Sequence, residues 1–304
     1  MAVLIRVIET ALPVLAALLL GMFCREKAFL SREGVDALKK VVINITLPAV
    51  LVDAFATAQY SLSSLTIPVT VFLLCGLGLA VGFLLARLMK LGRLPAFLAT
   101  GFEAGMLGYA LFALLYPEEP ASTFAILDLG QSLFVFTVYK GLLAGSGNRK
   151  AVIRDIVTSP IIWAIAVGVI LGATGIYSAM ASIGVSGILD GLTGFISAPT
   201  GMIILLAVGY DLDLKAIQWK QTGRFILLRL ATMAILLAVL LTVDRLVLGH
   251  AIHTGAAILL CLLPPPYVLP IFSTDESQRT ALSSAISALT LVTMILFAVM
   301  AVVV

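Results

Sequence analysis

Thr100 to Leu111, TGFEAGMLGYAL, sets a carboxylate, Glu103, among Gly101, Gly105 and Gly108, with Tyr109 following. The stretch lies inside an apolar segment, about Leu94 to Tyr116, long enough to cross a bilayer. A carboxylate at bilayer depth is costly and marks an ion, proton or substrate path. Each glycine weakens a helix by about 1 kcal/mol relative to alanine. Together they predict a discontinuous helix facing a protein-lined cavity, because irregular backbone survives at that depth only where it is covered. A second stretch, Leu262 to Pro270, LLPPPYVLP, cannot continue an α-helix. Broken helices aim half-helix N-termini, with free N–H groups, at carboxylates, while opened carbonyls suit Na⁺. The candidate site is the meeting of Gly101 to Tyr109 with Pro264 to Val268, including Pro265 and Tyr267.

Each of these residues also has a plainer reading. The glycines fit a helix packed closely on its neighbours, and Glu103 fits a pairing with another side chain. Tyr267 either contacts substrate or is a structural aromatic beside prolines. Asp128 and Gln131 lie three apart on one helical face. They reach Glu103 or the opened backbone, or form a structural polar cluster. Asn44 and Pro48 are one turn apart, and Ser197 and Thr200 flank Pro199. These line a pathway or stabilise kinks. Asp53, Lys140, Asp211 and Asp213 fall near helix ends and take no role. His250 and His253 belong to an outer loop.

The elements that must position these groups follow from composition. The 304 residues are 61% hydrophobic and 12% charged, which excludes a soluble domain. About ten apolar spans fit this length. The net charge of +3 is too small to imply a nucleic-acid partner. Cys24, Cys75 and Cys261 lie in apolar segments without metal-ligand spacing. No nucleophile motif, metal pair or phosphate-binding G-x-x-x-x-G-K-[ST] run is present, so neither an enzyme, a cofactor nor ATP-driven transport is expected.

Of the 19 Lys and Arg, all but Arg6, Arg229 and Arg245 fall in alternate connections. These are Arg25 to Lys40, Arg87 to Arg93, Lys140 to Arg154, Lys215 to Arg224, and Arg279. The positive-inside rule makes those connections cytoplasmic and puts both termini outside. Ten spans divide into two halves, residues 1–146 and 147–304, and the second half enters from the opposite side. The glycine-interrupted fourth span and the proline-interrupted ninth then correspond. Paired interruptions of this kind point to a secondary-transporter site near the midplane.

The run LLLGMFCREKAFLSREGVDALKKVVINITLPAVLVDAF resembles the first two helices of the auxin efflux carrier family. Thr100 to Leu111 resembles its fourth helix, Leu127 to Thr137 its fifth, and Leu263-Pro264 the "M-P" of its ninth. The family is similar in architecture to sodium–bile-acid symporters and some sodium–proton antiporters. The resemblance implies an all-α membrane fold of two inverted five-helix repeats with crossing, broken fourth and ninth helices. Helices 1, 2, 6 and 7 would form a scaffold and homodimer interface, and helices 3–5 and 8–10 a transport domain. It implies a bacterial cytoplasmic-membrane carrier of a small carboxylate, such as malate, malonate or an auxin-like acid, with H⁺, Na⁺ or no coupling ion. Three positions depart from the pattern: Glu103 replaces an Asn, Ala110 the crossover Pro, and Gln131 a second Asn. Glu103, and the lack of an Arg in the fourth or ninth helix, also fit a cation–proton antiporter on the same architecture. A channel is a third reading, disfavoured by the paired interruptions.

Overall fold

The computed structural model describes residues 2–58, 60, 62–143, 154, 157–212, 219–267, 269 and 276–303, and among these no strand occurs. Five helical stretches are long and apolar enough to cross a membrane among the described residues. They are Thr66–Leu88, Ala121–Leu143, Ser186–Asp211, Thr222–Leu248 and Ala281–Val302. A sixth arises if Pro160–Ala173 and Ile176–Ser182, bent by 59°, count as one span. Large apolar side chains point outward, with Phe195 84% and Leu246 80% exposed. Water would penalise that surface and hydrocarbon does not. The chain is an integral membrane protein. The boundary between its expected halves, near residue 146, lies outside the described residues.

The contacts divide the chain into two compact units. The first comprises Met1–Ser64, Gly105–Ile126 and Ile153–Leu212. It contains α1 (Ala2–Glu26), α2 (Arg32–Val41), α3 (Leu47–Ala56) and α5 (Tyr109–Leu115). It also contains α8 (Pro160–Ala173), α9 (Ile176–Ser182), α10 (Ser186–Ser197) and α11 (Thr200–Asp211). The α1 and α11 backbones touch through glycines. A Cβ on Gly21 would lie 2.1 Å from the Leu206 carbonyl oxygen, and one on Gly209 2.1 Å from that of Leu18. Small residues permit this approach, and packing then replaces the hydrophobic drive that lipid cannot supply. At one end of α11, Asp211 accepts from Arg32 at 2.6 Å and from Lys39.

The helical stretch around Pro48 takes its proline without opening. A residue before proline is biased away from helical geometry, yet Leu47 stays helical at φ −66° and ψ −42°. The strain is taken up one turn earlier, in a π-helical turn over Val42–Thr46. Widening that turn accommodates a proline that cannot donate a hydrogen bond and crowds the preceding turn. The Asn44 amide donates to the Lys40 carbonyl at 2.7 Å.

The second unit comprises Leu65–Ala104, Leu127–Val152 and Asp213–Val304. It takes most of α4 (Leu62–Leu88), the end of α6 (Ala121–Phe134) and α7 (Lys140–Leu143). With them are α12 (Trp219–Val243), α13 (Thr254–Leu262) and α14 (Glu276–Val303). Edge-on aromatic pairs tie its interior together, Phe97 on Tyr139 at 5.5 Å and Phe134 on Tyr139 at 5.2 Å. The Tyr139 hydroxyl, fully buried, donates to the Phe97 carbonyl at 3.1 Å.

Candidate functional site

Two interruptions lie within the second unit. The first follows a short 3₁₀ turn, Leu94–Leu98, and leaves residues 99–103 non-helical. Gly101 holds φ +71°, a region costly for any other residue. A Cβ there would also come within 3.0 Å of the Pro266 ring. Gly105 and Gly108, expected to share in the break, instead lie in a π-helical turn, Ala104–Gly108, and Gly108 is helical at φ −59°. The second interruption begins at Leu263, where α13 ends with extended backbone at ψ 151°. A residue before proline is biased toward that geometry. Pro264, Pro265 and Pro266 then supply no donor.

The two interruptions are bonded to each other. The Glu103 N–H donates to the Pro264 carbonyl at 2.9 Å. The Glu103 carboxylate accepts from the Tyr267 N–H. Glu103 is 7% exposed, and a carboxylate buried that far must be hydrogen-bonded to be tolerated. The α14 side supports the same loop. The Tyr267 hydroxyl meets Thr290 Oγ1 at 3.1 Å, and Thr293 Oγ1 donates to the Leu262 carbonyl at 2.7 Å.

Two further side chains hold the first break open. The Gln131 Oε1 accepts from the Phe102 N–H at 3.3 Å, while its Nε2 donates to Asp128 Oδ1 at 2.7 Å. Ser132 also donates to Asp128 Oδ1, at 2.9 Å. Gln131 is thus the group that reaches the opened backbone, and Asp128 fixes which way its amide faces. Opposite them, from α12, comes Arg229. Its guanidinium donates to the carbonyls of Leu98 at 2.8 Å, Gly101 at 2.9 Å and Leu263 at 2.6 Å. It lies 5.9 Å from the centre of the Phe102 ring and is 3% exposed. One side chain therefore satisfies acceptors on both interruptions.

By sequence alone Arg229 is a basic residue within an apolar span. The signal was present: an arginine in FILLRLATMAILL sits where an ionisable group is expensive. Its partners lie 131, 128 and 34 positions away, which no local spacing reveals.

The structure brings Gly101, Glu103, Asp128, Gln131, Pro264, Pro265 and Tyr267 into this one unit. Asn44, Gly105, Gly108 and Tyr109 belong to the first. There Tyr109 packs edge-on against Phe124 at 5.2 Å. Ser197 and Thr200 bond within their own turns, to the Gly194 and Ser197 carbonyls. Val268, the far end of the expected site, lies outside the described residues.

No protein-family profile matches the chain. The chain is similar to a protein of Methanothermobacter thermautotrophicus named only as an uncharacterized transporter. The two are 27% identical over 215 residues, which cover 68% of each. The likeness to auxin efflux carriers rests on the motifs alone.

Proposed function

We propose that this protein is a secondary transporter of a small organic anion, working by alternating access of the elevator type. The observation that carries the reading is the pair of helix interruptions joined through Glu103. Its carboxylate already rests on the Tyr267 N–H, so the opened backbone there accepts a carboxylate. The bonds between the interruptions lie within a single unit, as a carrier that moves its site as one body requires. The similarity to a protein named as a transporter supports the same class.

On this reading the ten spans form two inverted five-helix repeats. Helices 1, 2, 6 and 7 form a scaffold that dimerises, and the others carry the site through a bacterial cytoplasmic membrane. A labelling experiment tests the arrangement. Cysteines placed at Asn148 and Lys215 should react only from the cytoplasmic side, and one at Ser63 only from outside. Reaction of Ser63→Cys and Asn148→Cys from the same side would refute the inverted repeat.

Cation–proton exchange is the second reading, favoured by the buried carboxylate of Glu103. Proteoliposomes separate the two. Labelled malate or malonate should accumulate inside vesicles carrying the protein and not in empty ones. Cation exchange without carboxylate uptake would reverse the assignment.

A further inference from the structure

A carbonyl cage at a helix break is the usual protein environment for a small metal cation. Oxygens released from helical bonding carry partial negative charge and have no donor. Here the carbonyls of Leu98, Gly101 and Leu263 converge from two different interruptions. All three accept from the Arg229 guanidinium, which is almost wholly buried. A guanidinium carries the same unit charge as Na⁺ but five fixed donors, and it stays charged when buried because its pKa lies far above neutrality.

We propose that Arg229 is a tethered cation that takes the place of a coupling metal ion at the two interruptions, so that the site closes without Na⁺. The guanidinium satisfies the acceptors that would otherwise select a metal. It also repels a second cation: at ~5 Å and an effective dielectric near 20, like charges weaken binding by about two orders of magnitude. Arg229 acts through the backbone that it holds, as a positioning residue. The Phe102 ring covers its flank and keeps water from competing for the carbonyls. A mobile ion arrives and leaves in each cycle, whereas this charge is permanent. Such a site is always loaded, and its opening and closing answer to the substrate and to Glu103.

This inference rests on reading the interruptions as the transport site, but its test needs no substrate. The thermal midpoint of the purified protein in detergent is measured in Na⁺, K⁺ and choline chloride at equal ionic strength. The wild type should show the same Tm in all three. A saturable, Na⁺-specific rise in wild-type Tm would overturn the proposal.

The same measurement on Arg229→Ala should show a lower Tm. Guanidinium chloride at low millimolar concentration should restore most of the loss while leaving the wild type unmoved. A side chain that merely packs would not respond in that way, and failure of rescue by both guanidinium and Na⁺ would overturn the proposal. Arg229→Lys keeps the charge and should remain indifferent to Na⁺ at an intermediate Tm. If Arg229→Ala does not fold, a Na⁺-specific Tm rise in Arg229→Lys overturns the idea and indifference supports it. Absence of carboxylate uptake in vesicles would remove the proposed function without touching these results.

Discussion

The two interruptions of the second unit are broken by different means. The one after Leu262 is written into the covalent chain: three consecutive prolines offer no N–H, and Leu263 before them is driven extended. The one at residues 99–103 contains no proline. It has one glycine at positive φ, and its freed polar groups are taken up by side chains from elsewhere. Gln131 accepts from the Phe102 N–H, Glu103 reaches across to Pro264 and Tyr267, and Arg229 caps Leu98 and Gly101. The first kind of break persists whatever surrounds it. The second exists only while its partners are in place, so its stability should depend on them one by one.

Gln131→Leu tests that dependence most severely. It leaves the buried Phe102 N–H without its acceptor and takes a donor from Asp128. An unsatisfied buried polar group costs about 1–3 kcal/mol, so a loss of about 3 kcal/mol from the two together is expected. The thermal midpoint in detergent should fall by several degrees. An unchanged midpoint would mean that the break at residues 99–103 does not lean on this side chain.

Gly101→Ala should cost less. Holding a Cβ-bearing residue at φ +71° costs about 1–2 kcal/mol, and the methyl would press on the Pro266 ring. Uptake in vesicles should fall by about tenfold for each ~1.4 kcal/mol that the site must spend to keep its shape. Wild-type uptake in this variant would show that the backbone at residue 101 relaxes freely.

The smallest stability effect is expected from Pro264→Ala with Pro265→Ala. Both residues are buried, and the change adds two N–H donors that extending α13 would satisfy. The double variant should insert into the membrane with a midpoint within ~1 kcal/mol of wild type, yet transport more slowly. Full activity would show that the break after Leu262 needs no proline, and the two breaks would then not differ in kind.

This contrast also explains what could be read from the sequence. The proline break was legible because proline acts locally, through its own ring and missing donor. The glycine break was legible only in part. Three glycines mark a weak helix without saying where it opens, and only Gly101 lies in the non-helical segment. Gly105 and Gly108 are absorbed by a wide turn, as Pro48 is by the one over Val42–Thr46. Asp128 and Gln131 are legible as a pair because their spacing puts them on one helical face. Arg229 was missed because its meaning lies in three carbonyls contributed by two distant loops. Contacts closed over such separations leave no periodic trace in one sequence.

Glu103 stands between the substrate and its site. Its carboxylate occupies the N–H that an anionic substrate would use, and two negative charges 4 Å apart at an effective dielectric near 20 repel by about 4 kcal/mol. Anion binding should therefore follow neutralisation of Glu103, which couples uptake to a proton. Glu103→Gln keeps an oxygen for the Tyr267 N–H and removes the charge. The decisive measurement is vesicle uptake of labelled dicarboxylate, with and without an imposed pH gradient, by wild type and by Glu103→Gln. The wild type should show gradient-driven accumulation, and an active variant gradient-independent exchange. An active Glu103→Gln protein that still accumulates substrate in response to the gradient would contradict this coupling.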